Sequence, residues 1–138
     1  MLAAFVARYH RLPETVRMVL TANLGALTGW VTYEIVYLVN PLLPRATTSW
    51  TIAFLVGVPR QHALHRWLTF THKTPYWPSL GRAYVMYSAS LLFGTGLDWV
   101  LTEPLGVHHR VAWLCCLVMT ALISLFLLRS FVFARRDV

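Results

Sequence analysis

Apolar residues in this chain run in long blocks rather than alternating, and polar or proline-bearing breaks separate the blocks. Four blocks approach the length of a bilayer-crossing helix: Arg17–Val39, Thr48–Phe70, Arg82–Leu101 and Val107–Phe133. A spanning helix needs about 20 residues at roughly 1.5 Å each. The breaks are "NPLLPR" (Asn40–Arg45), a polar linker carrying Pro75 and Pro78, and "TEPLG" after Leu101. Such clusters end helices and turn the chain. The pattern predicts an all-α membrane protein with four transmembrane helices in one domain, residues 17–135. Residues 1–16 precede it as a short, partly helical interfacial segment, with Leu12-Pro13-Glu14 marking a helix start. Arg8, His10 and Arg11 follow the apolar Met1–Ala7. That is the reverse of a secretory signal, whose basic region comes first.

Composition strengthens this reading. Of 138 residues, 57% are hydrophobic and 12% charged, about half the charge of an ordinary soluble domain. The net charge of +7 points to anionic membrane lipids rather than nucleic acid, because the basic residues are spread between the blocks. Nine Lys and Arg residues fall at the N-terminal end, the middle junction and the C-terminal end, against Arg45 and Arg110 alone in the other two loops. This asymmetry puts both termini and the middle loop in the cytoplasm. Trp50, Trp99 and Trp113 are expected at the outer boundary, with Trp67 and Tyr84 at the inner one. Blocks one and three align Arg17 with Arg82, Gly25 with Ser90 and Gly29 with Gly94; blocks two and four align Arg66 with Arg129. The halves therefore read as two parallel helical-hairpin repeats. Gly25–Gly29 and Ser90–Gly94 are small faces that let helix backbones approach closely. They serve equally for packing within the monomer or for a homo-oligomer such as a dimer.

The second block holds the least membrane-like sequence. After the apolar "WTIAFLVGV" comes "PRQHALHRWLTF", Pro59–Phe70. To cross, the helix must continue through Pro59, which leaves the Leu55 carbonyl without its usual donor. Arg60 then lies near mid-depth, where an arginine costs about 3 kcal/mol on insertion scales. It should face a protein interior, a wet cavity or an anionic partner. His62 and Arg66 share one face, as do Gln61 and His65. The fourth block carries only Ser124 and Arg129 at the matching positions, so the loading of one helix marks a site. Glu34 and Asp98 lie toward the outer ends of the first and third blocks. They are candidates for an ion pair with an interior arginine, for a proton switch, or for simple reach to the interface. Cys115 and Cys116 read as small buried or lipid-facing thiols. No metal set, cofactor motif or nucleophile–base pair is present in the pattern, so enzymatic chemistry is not expected.

The stretches "QHALHRWLTF" (Gln61–Phe70) and "SLFLLRSFVF" (Ser124–Phe133) resemble the signature that ends the second and fourth helices of the GtrA family of small four-helix membrane proteins. Arg17 and Arg82 match its basic residues opening the first and third helices. The resemblance covers about Arg17–Arg135. Gln61 and Ser124 stand where the family has a first asparagine, and His65 and Leu128 where it has a second. The resemblance implies a flippase of polyprenyl-phosphate-linked sugar for cell-surface polysaccharide assembly, in a prokaryotic cytoplasmic membrane. Arg60, Gln61, His62, His65, Arg66, Arg129 and Arg17 become the candidate substrate-binding residues, since arginine matches phosphate oxygens bidentately. Two alternatives stand beside it. One is an accessory subunit recruiting a membrane glycosyltransferase. The other is a small proton-coupled multidrug exporter using Glu34.

Overall fold

The computed structural model describes residues 2–69 and 75–128. Among them are five α-helices: α1 (Leu2–His10), α2 (Glu14–Val39), α3 (Arg45–Leu64), α4 (Tyr76–Thr102) and α5 (His109–Leu128). A π-helical turn, His65–Thr69, continues α3. Pro13, Pro44 and Pro75 sit immediately before α2, α3 and α4 with extended ψ angles. Proline there fixes φ and forfeits only an N–H that a helix start cannot use.

The α2–α3 turn is built by side chains. Asn40 donates to Thr48 Oγ1 (2.7 Å) and Ser49 Oγ (2.9 Å), and its Oδ1 accepts from the Leu42 N–H. Arg45 donates to the carbonyls of Tyr37 (2.7 Å) and Leu38 (2.8 Å). It thereby satisfies acceptors that the last turn of α2 leaves open, at the negative end of the helix dipole. Within α3 the acceptor released by Pro59 is not left open either. The Tyr84 hydroxyl, from α4, donates to Leu55 O at 2.8 Å.

The helices α2 to α5 pack as a bundle in which α2–α3, α3–α4 and α4–α5 are neighbours. Side chains bring α5 back to α2: Trp30 stacks edge-on against Trp113, and Tyr33 bonds His109. The core cluster is Tyr33, Trp50, Ala53, Trp113 and Cys116. Trp50 and Trp113 are therefore core residues and not boundary anchors; the sequence pattern cannot tell an indole at a helix end from one turned inward. Trp67, Trp77 and Trp99 are the exposed tryptophans. The outward face is apolar at Val19, Leu27, Ile35, Val85, Leu92 and Leu114, while the fully buried positions include Thr21, Ser49, Thr69 and Asp98. Polarity is turned inward.

Among the described residues no helix is long and apolar enough to cross a membrane. The spans expected at 17–39, 48–70, 82–101 and 107–133 rest on length. The helices that occupy them are diluted by polar residues: Asn23, Thr28, Thr32 and Glu34 in α2, the Pro59–His62 run in α3, and Asp98 in α4. The last five residues of the fourth span, and Phe70 of the second, lie outside the described residues.

Two cavities flank the core cluster. One, about 300 Å³, is lined by Gly25, Gly29, Trp50, Arg60, Gln61 and Trp113 among others. The other, about 610 Å³ and more open, is lined by Tyr37, Arg45, Thr102, Glu103 and His109 among others. The small faces of the sequence reading are used inside the chain: a Cβ at Gly25 would overlap the Gln61 amide, and one at Gly94 would overlap the Trp50 indole.

This sets up a matched pair of substitutions. Gly94→Ala must push a rigid indole out of the core and should lower stability by about 1–3 kcal/mol. Gly96→Ala meets nothing within 4 Å and should be neutral or slightly stabilising, since alanine is the better helix former. Thermal unfolding of the two variants in detergent checks the difference.

Candidate anion site inside the bundle

Arg60 follows Pro59 directly and points into the bundle. Its Nη1 donates to Thr32 Oγ1 of α2. Its Nη2 lies over two glycines: a Cβ would stand 3.2 Å away at Gly57 and 3.6 Å away at Gly29. Glycine at both positions lets the flat guanidinium sit against two helix backbones. Its Nε is buried without a hydrogen-bond partner among the described residues. No carboxylate among those residues forms an ion pair with it. A cation held in this way, with donors to spare, is strongly disfavoured unless an anion or water completes it. Gln61 lines the same cavity, and Trp50, Phe54, Tyr87 and Trp113 form its aromatic walls. The cavity thus offers a bidentate anion donor, an amide and flat apolar faces, at the small end of the range for ligand pockets.

A line of hydrogen bonds leads away from Gln61. Its Nε2 meets His65 Nε2 at 2.8 Å, and His65 Nδ1 meets Thr69 Oγ1 at 3.2 Å. An amide nitrogen only donates, so His65 accepts at Nε2 and donates from Nδ1; the network assigns the neutral tautomer. Thr69 donates to Thr21 Oγ1 (3.0 Å), which meets the Tyr9 hydroxyl (3.2 Å). Tyr9 also reaches the carbonyl of Arg17 at 3.2 Å. The π-helical turn puts His65 and Thr69 on one side, as π turns near functional sites often do. The chain ends on α1, so the cavity wall and the N-terminal helix are hydrogen-bonded into one unit.

The seven candidate binding residues therefore do not form one cluster. Arg60 and Gln61 line the cavity, and His65 stands behind Gln61. His62 is turned toward α4, where its Nε2 meets Ser79 Oγ at 2.9 Å and its ring packs on Tyr76 at 5.3 Å. Arg66 lies over the same Tyr76 ring, 5.9 Å from its centroid. Arg60 thus lines the cavity while His62 and Arg66 lie together at Tyr76. Two residues along a helix turn a side chain by about 200°, so His62 faces away from Arg60. Arg17 meets His10 Nδ1 at 3.2 Å and reaches the cavity only through the chain that ends at its carbonyl. Arg129 lies outside the described residues. Neither acid pairs with an interior arginine. Glu34 is held bidentately by Arg110, at 2.9 and 3.0 Å, on the half-exposed start of α5. Asp98 is fully buried, with neither oxygen hydrogen-bonded among the described residues. Thr47 of α3 faces it without reaching hydrogen-bond geometry.

Sequence reasoning missed Thr32, Tyr84 and the Thr21–Thr69 contact. Each partner comes from another helix, and no local pattern marks it. The 2.8 Å Gln61–His65 contact is the exception, because an i, i+4 spacing is legible in the sequence.

A family model described as GtrA/DPMS, transmembrane domain, matches residues 19–133. That makes the chain a membrane protein, with α1 and the first residues of α2 lying before the matched region. No curated protein matches the chain. No solved structure matches it.

The hydrogen-bonded line predicts that Tyr9→Phe costs about 1 kcal/mol and loosens α1. Limited trypsin digestion should then cut faster at Arg8 and Arg11 than in the parent chain, with the bundle itself still resistant. Equal cutting rates would show that the tyrosine hydroxyl does not fasten α1.

Proposed function

Since the chain belongs to the GtrA/DPMS transmembrane-domain family, we propose that it is a translocase that carries polyprenyl-phosphate-linked sugar across the cytoplasmic membrane of a prokaryote, for cell-surface glycan assembly. Membership supports a role in glycan and lipid-linked sugar biosynthesis. The observation that carries the finer reading is the Arg60 guanidinium, enclosed beside Gly29 and Gly57 with an unused buried Nε. A phosphate is the complementary ligand. It is anionic, matches the guanidinium fork and stays charged in an apolar setting when paired. Gln61 and the indoles of Trp50 and Trp113 suit a sugar, which offers hydroxyls at its edge and C–H groups on its faces. The polyprenyl chain would remain in lipid, against the apolar outer face.

The topology follows the same reading. Helices α2 and α4 have 26 and 27 residues, about 40 Å at the α-helical rise. Thr21, Ser90 and Asp98 turn inward and large apolar residues cover much of the outward face, with Asn23 and Ser88 bonding back to their own helix at Val19 O and Val85 O, which suits a hydrocarbon solvent despite modest mean hydropathy. Four spans with both termini cytoplasmic, arranged as two parallel hairpins, fit the excess of basic residues at one end. Anionic lipids and a second copy of the chain are the proposed further partners, with a glycosyltransferase as consumer of the carried lipid. The role is transport and not chemistry on the sugar. A proton-coupled exporter of cationic drugs draws no support from Glu34, which Arg110 already holds, or from Arg60, which would repel a cation.

Reconstituted vesicles test this. Purified protein should speed transbilayer movement of a polyprenyl-phosphate hexose or pentose. Arg60→Ala should slow it about 10- to 100-fold, the equivalent of losing charge-assisted hydrogen bonds of about 1.5–3 kcal/mol. Arg60→Lys should fall between the two, because an ammonium lacks the planar fork. Wild-type protein that moves neither lipid, or Arg60→Ala that moves them at the parental rate, would refute the assignment.

A further inference from the structure

Asp98 is the fully buried acid among the described residues, one that the site described above does not use and that no basic group at its end of the bundle takes up. Arg45 is occupied by the carbonyls of Tyr37 and Leu38, and Arg110 by Glu34. His109 meets the Tyr33 hydroxyl and stacks on the Tyr37 ring at 3.8 Å. Asp98 itself is 0% exposed, and neither carboxylate oxygen has a hydrogen-bond partner among the described residues. The groups that act on it are the Thr47 hydroxyl from α3, Tyr33 from α2, Cys116 from α5 and Glu103 just beyond α4. None is a cation. An ionised carboxylate among these neighbours would be far costlier than a neutral acid.

Its level in the bundle gives this chemistry a place. Along α3, Ala46 lines the larger cavity, Thr47 faces Asp98 and Trp50 lines the smaller one. Along α4 the order is Thr102, Asp98, Ser90; along α2 it is Tyr37, Tyr33, Gly29. Asp98 therefore lies in the layer that separates the two cavities. Two contacts couple that layer to its neighbours. Thr102, in the wall of the larger cavity, donates to the Asp98 carbonyl at 2.8 Å. One turn the other way, Gly94 receives the Trp50 indole and its carbonyl accepts the Cys116 thiol at 3.6 Å.

We propose that Asp98 is a proton-binding site within the partition between the two cavities, and that loading and unloading its proton couples movement of the carried lipid to a proton gradient. This rests on the translocase reading for the coupling, though not for the proton site itself. On this proposal the carboxyl is neutral while the partition is closed, as it is in this structure. The proton adds to a carboxylate oxygen from water when the partition opens toward one cavity, and returns to water when it opens toward the other. No other bond is made or broken. Once ionised, Asp98 must be solvated, so the charged form holds the partition apart and the neutral form lets Tyr33, Trp50 and Trp113 close over it.

The test reads protonation and transport separately. The chain has two aspartates, Asp98 and Asp137. In Asp137→Asn protein made with carboxyl-13C aspartate, the only isotope-shifted carboxyl is that of Asp98. Infrared spectroscopy of this protein in phosphatidylethanolamine–phosphatidylglycerol vesicles should show a protonated C=O stretch at neutral pH. In the second arm, a pH gradient imposed across the same vesicles should change the rate at which the wild-type chain moves a polyprenyl-phosphate hexose at least severalfold. The isosteric Asp98→Asn should move it at a rate indifferent to the gradient. An ionised carboxylate at neutral pH in the first arm overturns the proton site, whether or not Asp98→Asn folds. Wild-type movement that ignores the gradient overturns the coupling. Loss of all lipid movement by wild type, with the protonated band present, removes the translocase reading and leaves the proton site standing.

Discussion

A single guanidinium, that of Arg60, governs how the bundle is put together. A cation inside a helical bundle has to be given polar partners and flat room, and the chain supplies both. Glycines at 29 and 57 clear the space on two helices, and Thr32 accepts one of its donors. Pro59, one residue earlier, interrupts the α3 hydrogen-bond ladder, and Tyr84 restores the lost bond from α4. These five positions on three helices are otherwise unrelated in sequence. They make sense together as the housing of one charge that would be excluded from lipid and from an ordinary apolar core alike.

The same constraint explains the distribution of polarity. The interior holds threonines, serines, an aspartate and the Gln61–His65–Thr69–Thr21 line, while leucine, valine and isoleucine face outward. In water such a surface would drive association; in a membrane it is the solvent-facing side. The core that remains is thin. A layer of Tyr33, Trp50, Ala53, Trp113 and Cys116 separates a cavity at the Arg60 end from one at the Arg45 end.

The ends of the bundle are fastened differently from its middle. Arg45 and Asn40 lock the α2–α3 turn with six side-chain hydrogen bonds between them, and Arg110 ties the start of α5 to α2. At the other end α1 is held through Tyr9. Arg45 and Arg110 count in the sequence only as the minority charges of two loops. In the fold they are the clamps of one end.

What the sequence by itself determined is whatever depends on neighbours along the chain. Helix existence and the proline-bounded breaks follow from apolar blocks and fixed φ angles. The Gln61–His65 pairing follows from i, i+4 spacing, and the unsuitability of Arg60 for lipid follows from its depth in a block. What only the tertiary structure decided is direction across the chain. Nothing local tells that Trp50 and Trp113 turn inward, that His62 turns away from Arg60 toward Ser79, or that Gly94 seats an indole while Gly96 seats nothing. Nor does anything local say which of two acids is paired: Glu34 finds Arg110, 76 residues away, and Asp98 finds no basic group among the described residues. Rotation about a helix axis and contact between distant helices are set by the packing of the whole bundle, and a linear pattern carries the period of each helix without the phase that relates one helix to the next.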